Sequence, residues 1–125
     1  MGAEKDKLWD IRERSFAYAL RAIKLFQALV RGRDRTGGVI GRQFLRSATS
    51  IGANIEEAQA GESRADFIHK YGIAQKEAKE SLYWLRLLGK SGIVPEDRLI
   101  SIMQETEELI AVLTAIIIKA KRKSP

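Results

Sequence analysis

Apolar residues recur along this chain at intervals of three and four, and four such stretches are separated by short breaks rich in glycine, serine and proline. At about 100° per residue that spacing is the mark of amphipathic helices. The first is expected over residues 7–31, with Leu8, Ile11, Ala19, Ala22, Phe26 and Leu29 on one stripe, widened by Phe16, Leu20, Ile23 and Val30. Asp6 is a candidate N-cap, and Gly32 a candidate left-handed terminator. The second helix is expected over residues 39–60. Ile40, Phe44, Ala48, Ile51, Ile55 and Ala58 share its apolar face, and Ser47, Ser50, Asn54 and Glu57 form a polar strip beside it. An amide so near a core needs partners, because an unpaired buried one costs a few kcal/mol. Ser50 and Asn54 are therefore expected to be largely buried and bonded to a neighbouring helix, with Glu57 at the margin.

Gly61 is expected to terminate the second helix, and Ser63 with Asp66 has the form of a capping box opening a third helix over residues 64–90. Phe67, Tyr71, Ala74, Ala78, Leu82 and Leu85 face its core. Ile73, Tyr83, Trp84 and Leu87 project elsewhere, as does Leu45 on the second helix. A helix apolar on two sides is buried on two sides. In a chain this small the second cover is most simply another subunit, so these five residues are the expected oligomer interface. Pro95 suits the first position of a fourth helix over residues 96–121, with Glu96 and Asp97 at its positive end. Leu99, Met103, Thr106, Ile110, Leu113 and Ile117 form its core stripe. Four helices with short connections imply a single all-α domain over residues 1–125, an antiparallel up-down-up-down four-helix bundle.

Composition narrows the chemistry. The chain has 125 residues, no Cys and a single His. Thiolate catalysis, disulfides and Cys-based zinc sites are thereby excluded. A cytoplasmic protein fits the lack of cysteine. The charged start argues against a signal peptide, and no apolar run has the length of a membrane span. Bundle di-iron sites need paired Glu-x-x-His motifs pointing inward. Here Asp66-x-x-His69 is the one match in spacing, and it lies on the outer side of its helix. Ser47 and Ser50 have no nearby base in sequence. Glu56, Glu57 and Glu62 are more simply a solvated helix end than a nuclease metal site. The Arg31–Gly38 loop lacks the G-x-x-x-x-G-K-[ST] pattern and a preceding strand. No cofactor and no enzymatic activity are expected.

The net charge is +6, which points to a polyanion partner or simply to a well-solvated basic surface. Two clusters carry it: Arg31, Arg33 and Arg35 in the first loop, and Lys121, Arg122 and Lys123 at the chain end. An up-down-up-down topology puts them at opposite ends of the bundle, so one protomer offers no continuous basic stripe.

Arg46-Ser47-x-x-Ser50-Ile51-x-x-Asn54-Ile55-x-Glu57, followed by Asp66-Phe67-Ile68-His69-Lys70, Ile73-Ala74 and Tyr83-Trp84-Leu85-Arg86-Leu87-Leu88, resembles the signature of the small bacterial four-helix-bundle proteins encoded in intervening sequences of large-subunit ribosomal RNA genes. Many members place Gly directly after the matched Glu. This chain has Ala58 there and delays the glycine to Gly61, so its second helix is expected to run about a turn longer. The resemblance implies a protomer that closes into a ring, commonly a homopentamer. It also implies kinship with the accessory variability determinants of diversity-generating retroelements, which bind a reverse transcriptase and nucleic acid. The expected function is a non-enzymatic, self-associating scaffold linked to RNA. The alternative is a protein-interaction module such as a reverse-transcriptase accessory subunit. Neither involves a membrane.

Overall fold

The structure, a computed structural model, describes residues 2–61 and 63–123, with side chains from residue 8 onward. Glu62 lies outside the described residues. The chain folds into four helices: α1 (Gly2–Arg31), α2 (Arg35–Gln59), α3 (Arg64–Lys90) and α4 (Glu96–Arg122). No strand occurs among the described residues, and none of the helices is long and apolar enough to cross a membrane.

At the helix ends, local chemistry outweighs apolar periodicity. α1 starts at Gly2, so Asp6 lies within the helix and does not cap it. The segment before Leu8 contains Ala, Glu and Lys, all good helix formers, and no proline. α2 starts four residues early because Asp34 caps it. Its Oδ1 accepts from the backbone N–H of Thr36 at 2.9 Å and of Gly37 at 3.3 Å. Arg35 to Gly38 therefore belong to the helix, and the connection shrinks to Gly32-Arg33-Asp34. Ser63 caps α3 by accepting from Asp66 N–H at 3.1 Å. Pro95 precedes α4 as its extended cap residue, with φ −55° and ψ 132°, rather than opening the helix. Gly92, at φ +79°, is the one described residue in the left-handed region. Gly32 ends α1 differently, its N–H bonding Ala28 O at 3.1 Å and Leu29 O at 3.2 Å.

Each helix packs against its neighbour in sequence, and α1 meets α4 to close an antiparallel bundle. The core is a stack of seams spaced four and three. Ile11, Ser15, Tyr18, Ala22 and Leu29 are buried on α1, and Leu99, Ile102, Thr106, Leu109, Leu113 and Ile117 on α4. α2 contributes Phe44, Ala48, Ile51 and Ile55, and α3 contributes Tyr71, Ala74, Ala78, Leu85 and Leu88.

Two stripes correct the sequence reading. On α4, Ile102 and Leu109 are buried while Met103 and Ile110 are only half-covered. On α1, Phe16, Leu20, Ile23 and Val30 point to solvent and do not widen the core. One residue of helix turns a side chain by ~100°, so adjacent apolar residues leave several choices of face. Packing against three other helices selects one.

Ion pairs rivet the helices. Arg12 bonds Glu56 at 3.0 Å (α1 to α2), and Arg14 bonds Glu105 at 2.8 Å and Glu108 at 2.9 Å (α1 to α4). Lys70 bonds Glu57 at 2.7 Å (α3 to α2). Arg46 reaches from α2 to Glu77 at 3.3 Å and to Glu80 on α3. The more open pairs, Arg12–Glu56 and Lys70–Glu57, contribute at most about 1 kcal/mol each, so they set register more than they supply stability.

Candidate interaction surfaces

The middle of the bundle carries a buried layer of hydroxyls, one from each helix. Tyr18 of α1 shares a 2.6 Å hydrogen bond with Thr106 of α4, and Ser47 of α2 shares a 2.9 Å bond with Ser81 of α3. All four residues are buried. Thr106 donates to Ile102 O at 2.7 Å, so Tyr18 donates to Thr106. Each hydroxyl has one proton, so one serine donates to the other, and the second donates to its own helix, where Glu77 O lies 2.9 Å from Ser81 and Phe44 O 3.1 Å from Ser47. Burial pushes the Tyr18 phenol up to about 12, although its hydrogen bond to Thr106 pulls the other way. These serines touch hydroxyls and carbonyls, none of which is a base able to activate them. Their chemistry is that of a lock on helix register.

The polar strip on α2 therefore divides. Ser47 is its interhelical member. Ser50 and Asn54 are half-buried and bond their own helix, Ser50 to Arg46 O at 2.8 Å and Asn54 to Ser50 O at 2.8 Å. The expectation that they reach a neighbouring helix is not met, because a short side chain mid-helix finds the carbonyl one turn back first. Glu57 is exposed and holds Lys70.

Of the five residues expected at an oligomer interface, Leu45, Ile73, Trp84 and Leu87 are half-buried within the protomer, and Tyr83 is exposed. Trp84 donates Nε1–H to Glu80 at 3.0 Å and meets the Tyr83 ring edge-on. The larger exposed apolar surface is on α1. Phe16 is 65% exposed and Trp9 59%, with Leu20, Ile23 and Val30 also in water. Burying each such side chain would be worth roughly 1.5–3 kcal/mol. The sequence held the signal. Residues 9, 16, 20, 23 and 30 keep a heptad spacing of their own, which reading the last four as part of one broad stripe concealed.

The positive charges differ in how far the fold commits them. Arg12, Arg14 and Arg46 are spent on interhelical pairs. Arg31, Arg33 and Arg35 are exposed and form no ion pair among the described residues. They crown the end that also holds the α3–α4 turn. Lys121, Arg122 and Lys123 lie at the other end, beside the start of α1, and are exposed. At 1.5 Å per residue the 27 residues of α4 hold the two ends about 40 Å apart. Near the second cluster, Leu8, Phe67, Ile116 and Ala120 line a recess of about 380 Å³ rimmed by Arg64, Lys119 and Lys123. Among the described residues, no three His, Asp or Glu side chains gather into a metal-binding group. His69 is exposed on α3.

A family model described as "23S rRNA-intervening sequence protein" matches residues 8–115. The fold is similar to the crystal structure of a protein of unknown function from the S23 ribosomal protein family of Bacteroides thetaiotaomicron. The two share 40% identity over 89% of this chain and 97% of that chain, with a TM-score of 0.83. No curated protein matches the chain.

Proposed function

This chain belongs to the 23S rRNA-intervening sequence protein family, and from that premise we propose a non-enzymatic, ring-forming scaffold that associates with RNA through the basic ends of its bundle. The observation that carries the reading is the division of the arginines. Arg31, Arg33 and Arg35 crowd five residues, face solvent and make no ion pair among the described residues, whereas Arg12, Arg14 and Arg46 on the bundle sides are paired with carboxylates. An uncommitted cluster of this kind neutralises phosphates without cost to the fold. Assembly into a ring, with five copies the preferred closure in this proposal, multiplies each cluster into a crown of charge. Weak contacts then add as avidity.

Filter binding of single-stranded RNA over a salt series tests the proposal. Affinity should fall steeply and linearly in log–log coordinates, with little preference among sequences. Binding insensitive to salt, or none at low ionic strength, would overturn it. A second reading, an accessory subunit for a reverse transcriptase, draws on the exposed apolar face of α1. It requires that face to stay open to a partner of another kind, whereas the scaffold reading has copies of the chain cover it.

A further inference from the structure

We propose that the outward face of α1 docks, antiparallel, on the outward face of α4 of a second copy of this chain. The inference rests on the scaffold reading and specifies its contact.

α1 carries two seams on nearly opposite sides. The inner one follows Ile11, Ser15, Tyr18, Ala22 and Leu29 and is buried in the bundle. The outer one follows Trp9, Phe16, Leu20, Ile23 and Val30 and is exposed. Steps of seven, four, three and seven keep the outer residues on one line down the helix. A helix meeting only water has no physical use for a second heptad seam.

The shape of the outer seam indicates what covers it. Its residues are bulky, and packing two such ridges on each other keeps the helix axes apart. The outward face of α4 is of the opposite kind. Ala111 and Ala115 are exposed on it, between exposed Ile100 and Ile118. A bulky ridge seats against small residues flanked by larger ones.

Charge gives a second, independent match. On α1 the exposed charges are acidic toward the N-terminus (Asp10, Glu13) and basic toward the C-terminus (Arg21, Lys24, Arg31). α4 has the same polarity on balance: exposed Glu96, Asp97, Glu107 and Glu108 outweigh Arg98 in its first half, and exposed Lys119, Lys121 and Arg122 close it. Within the bundle α1 and α4 are antiparallel. Copies related by rotation about an axis along the bundle therefore bring α1 of one against α4 of the next in antiparallel fashion, acidic half to basic half. Because the two faces differ, the contact is head-to-tail and builds a closed ring instead of a two-fold dimer.

The chain has no cysteine, so engineered thiols report the contact cleanly. Phe16→Cys combined with Ala111→Cys, treated with a short bismaleimide at micromolar protein, should give a ladder of covalent multiples. Phe16→Cys alone should give none. In light scattering the unmodified chain should show several times the monomer mass. Phe16→Glu with Leu20→Glu should return it to the monomer mass with helical circular dichroism retained, since both positions are exposed. A monomeric unmodified chain would overturn the inference. So would dimers from Phe16→Cys alone, which would mean α1 meets α1, or a mass unmoved by the glutamate pair. Filter binding on the same samples keeps the two readings apart: if the unmodified chain oligomerises and binds RNA but the glutamate pair changes neither, this contact is wrong and the scaffold reading stands.

Discussion

Tyr18 feels burial and hydrogen bonding in opposition, and burial dominates. Its phenol is pushed from 10 up to about 12, as is that of Tyr71, which accepts from Gln59 at 3.3 Å. The linkage follows. Below pH 10 both folded and unfolded chains carry neutral tyrosines and the contribution is fully present. Above it the unfolded chain ionises first and is favoured, so stability is lost as pH rises through about 12. Urea midpoints measured from pH 9 to 12 should fall, and Tyr18→Phe should flatten part of that fall. The hydroxyl layer also ranks its neighbours on α2. Ser47→Ala leaves buried Ser81 short of a partner and should cost about 1–2 kcal/mol. Asn54→Ala removes a half-buried bond to its own helix and should cost less, about 0.5 kcal/mol or under. Thermal melts of the two variants check the order.

At the scale of the element, α2 is the helix whose glycines separate packing from propensity. A Cβ on Gly41 would come within 2.7 Å of Leu29 Cδ1 and 3.5 Å of Phe26 Cδ1. Leu29 is itself buried in the α1 seam, so it cannot swing clear without disturbing that seam. Gly41→Ala should destabilise by roughly 1–3 kcal/mol. Gly38, also within α2, has nothing within 4 Å of its Cβ position. Gly38→Ala gains helix propensity with no clash and should stabilise by up to about 1 kcal/mol. Opposite signs in paired denaturant melts would confirm that α1 sits close on α2 at Gly41 and not at Gly38. The N-terminus of α2 supplies a third variant. Asp34→Ala removes the side-chain bonds to Thr36 and Gly37 and should cost about 0.5–2 kcal/mol. It should also fray Arg35 to Gly38 into the loop that their glycines suggest, seen as faster amide exchange.

For the whole molecule, the distribution of charge sets the expected behaviour toward RNA. Arg31→Gln, Arg33→Gln and Arg35→Gln together remove one end cluster, while Lys121→Gln, Arg122→Gln and Lys123→Gln together remove the other. Each phosphate that a protomer no longer neutralises should lower the salt slope by ~0.7 for a single strand. If one triple variant flattens the slope and the other leaves it unchanged, the ring presents a single RNA-binding mouth. An equal drop in both assigns RNA to both ends. Neither substitution touches the hydroxyl layer, but Arg31, Lys121 and Arg122 also belong to the charge match between α1 and α4, so light scattering on the same samples separates a lost RNA contact from a loosened ring.

The helix count and order are legible in the sequence alone. Four periodic stretches with Gly61, Ser63 and Pro95 between them set both, because periodicity and breakers act locally. The charge clusters are equally plain, since loop and terminal residues have few other places to be. Azimuth is not legible. Phe16 and Tyr18 are two residues apart and both aromatic, yet one faces water and the other the centre of the bundle. Only the simultaneous fit of four helices chooses between stripes that differ by one residue. The buried seam on α1 runs through Ser15 and Tyr18, whose polar atoms disguise them as surface: Ser15 turns its hydroxyl back to Arg12 O, and Tyr18 finds Thr106 only once α4 is in place. The same holds for Ser47 against Ser50 and Asn54. All three lie on one strip of α2, and distance to Ser81 on another helix made the first a cross-link and left the others local. A hydrogen bond between helices depends on where the second helix stands, and that is a property of packing, to which sequence spacing along one helix gives no access.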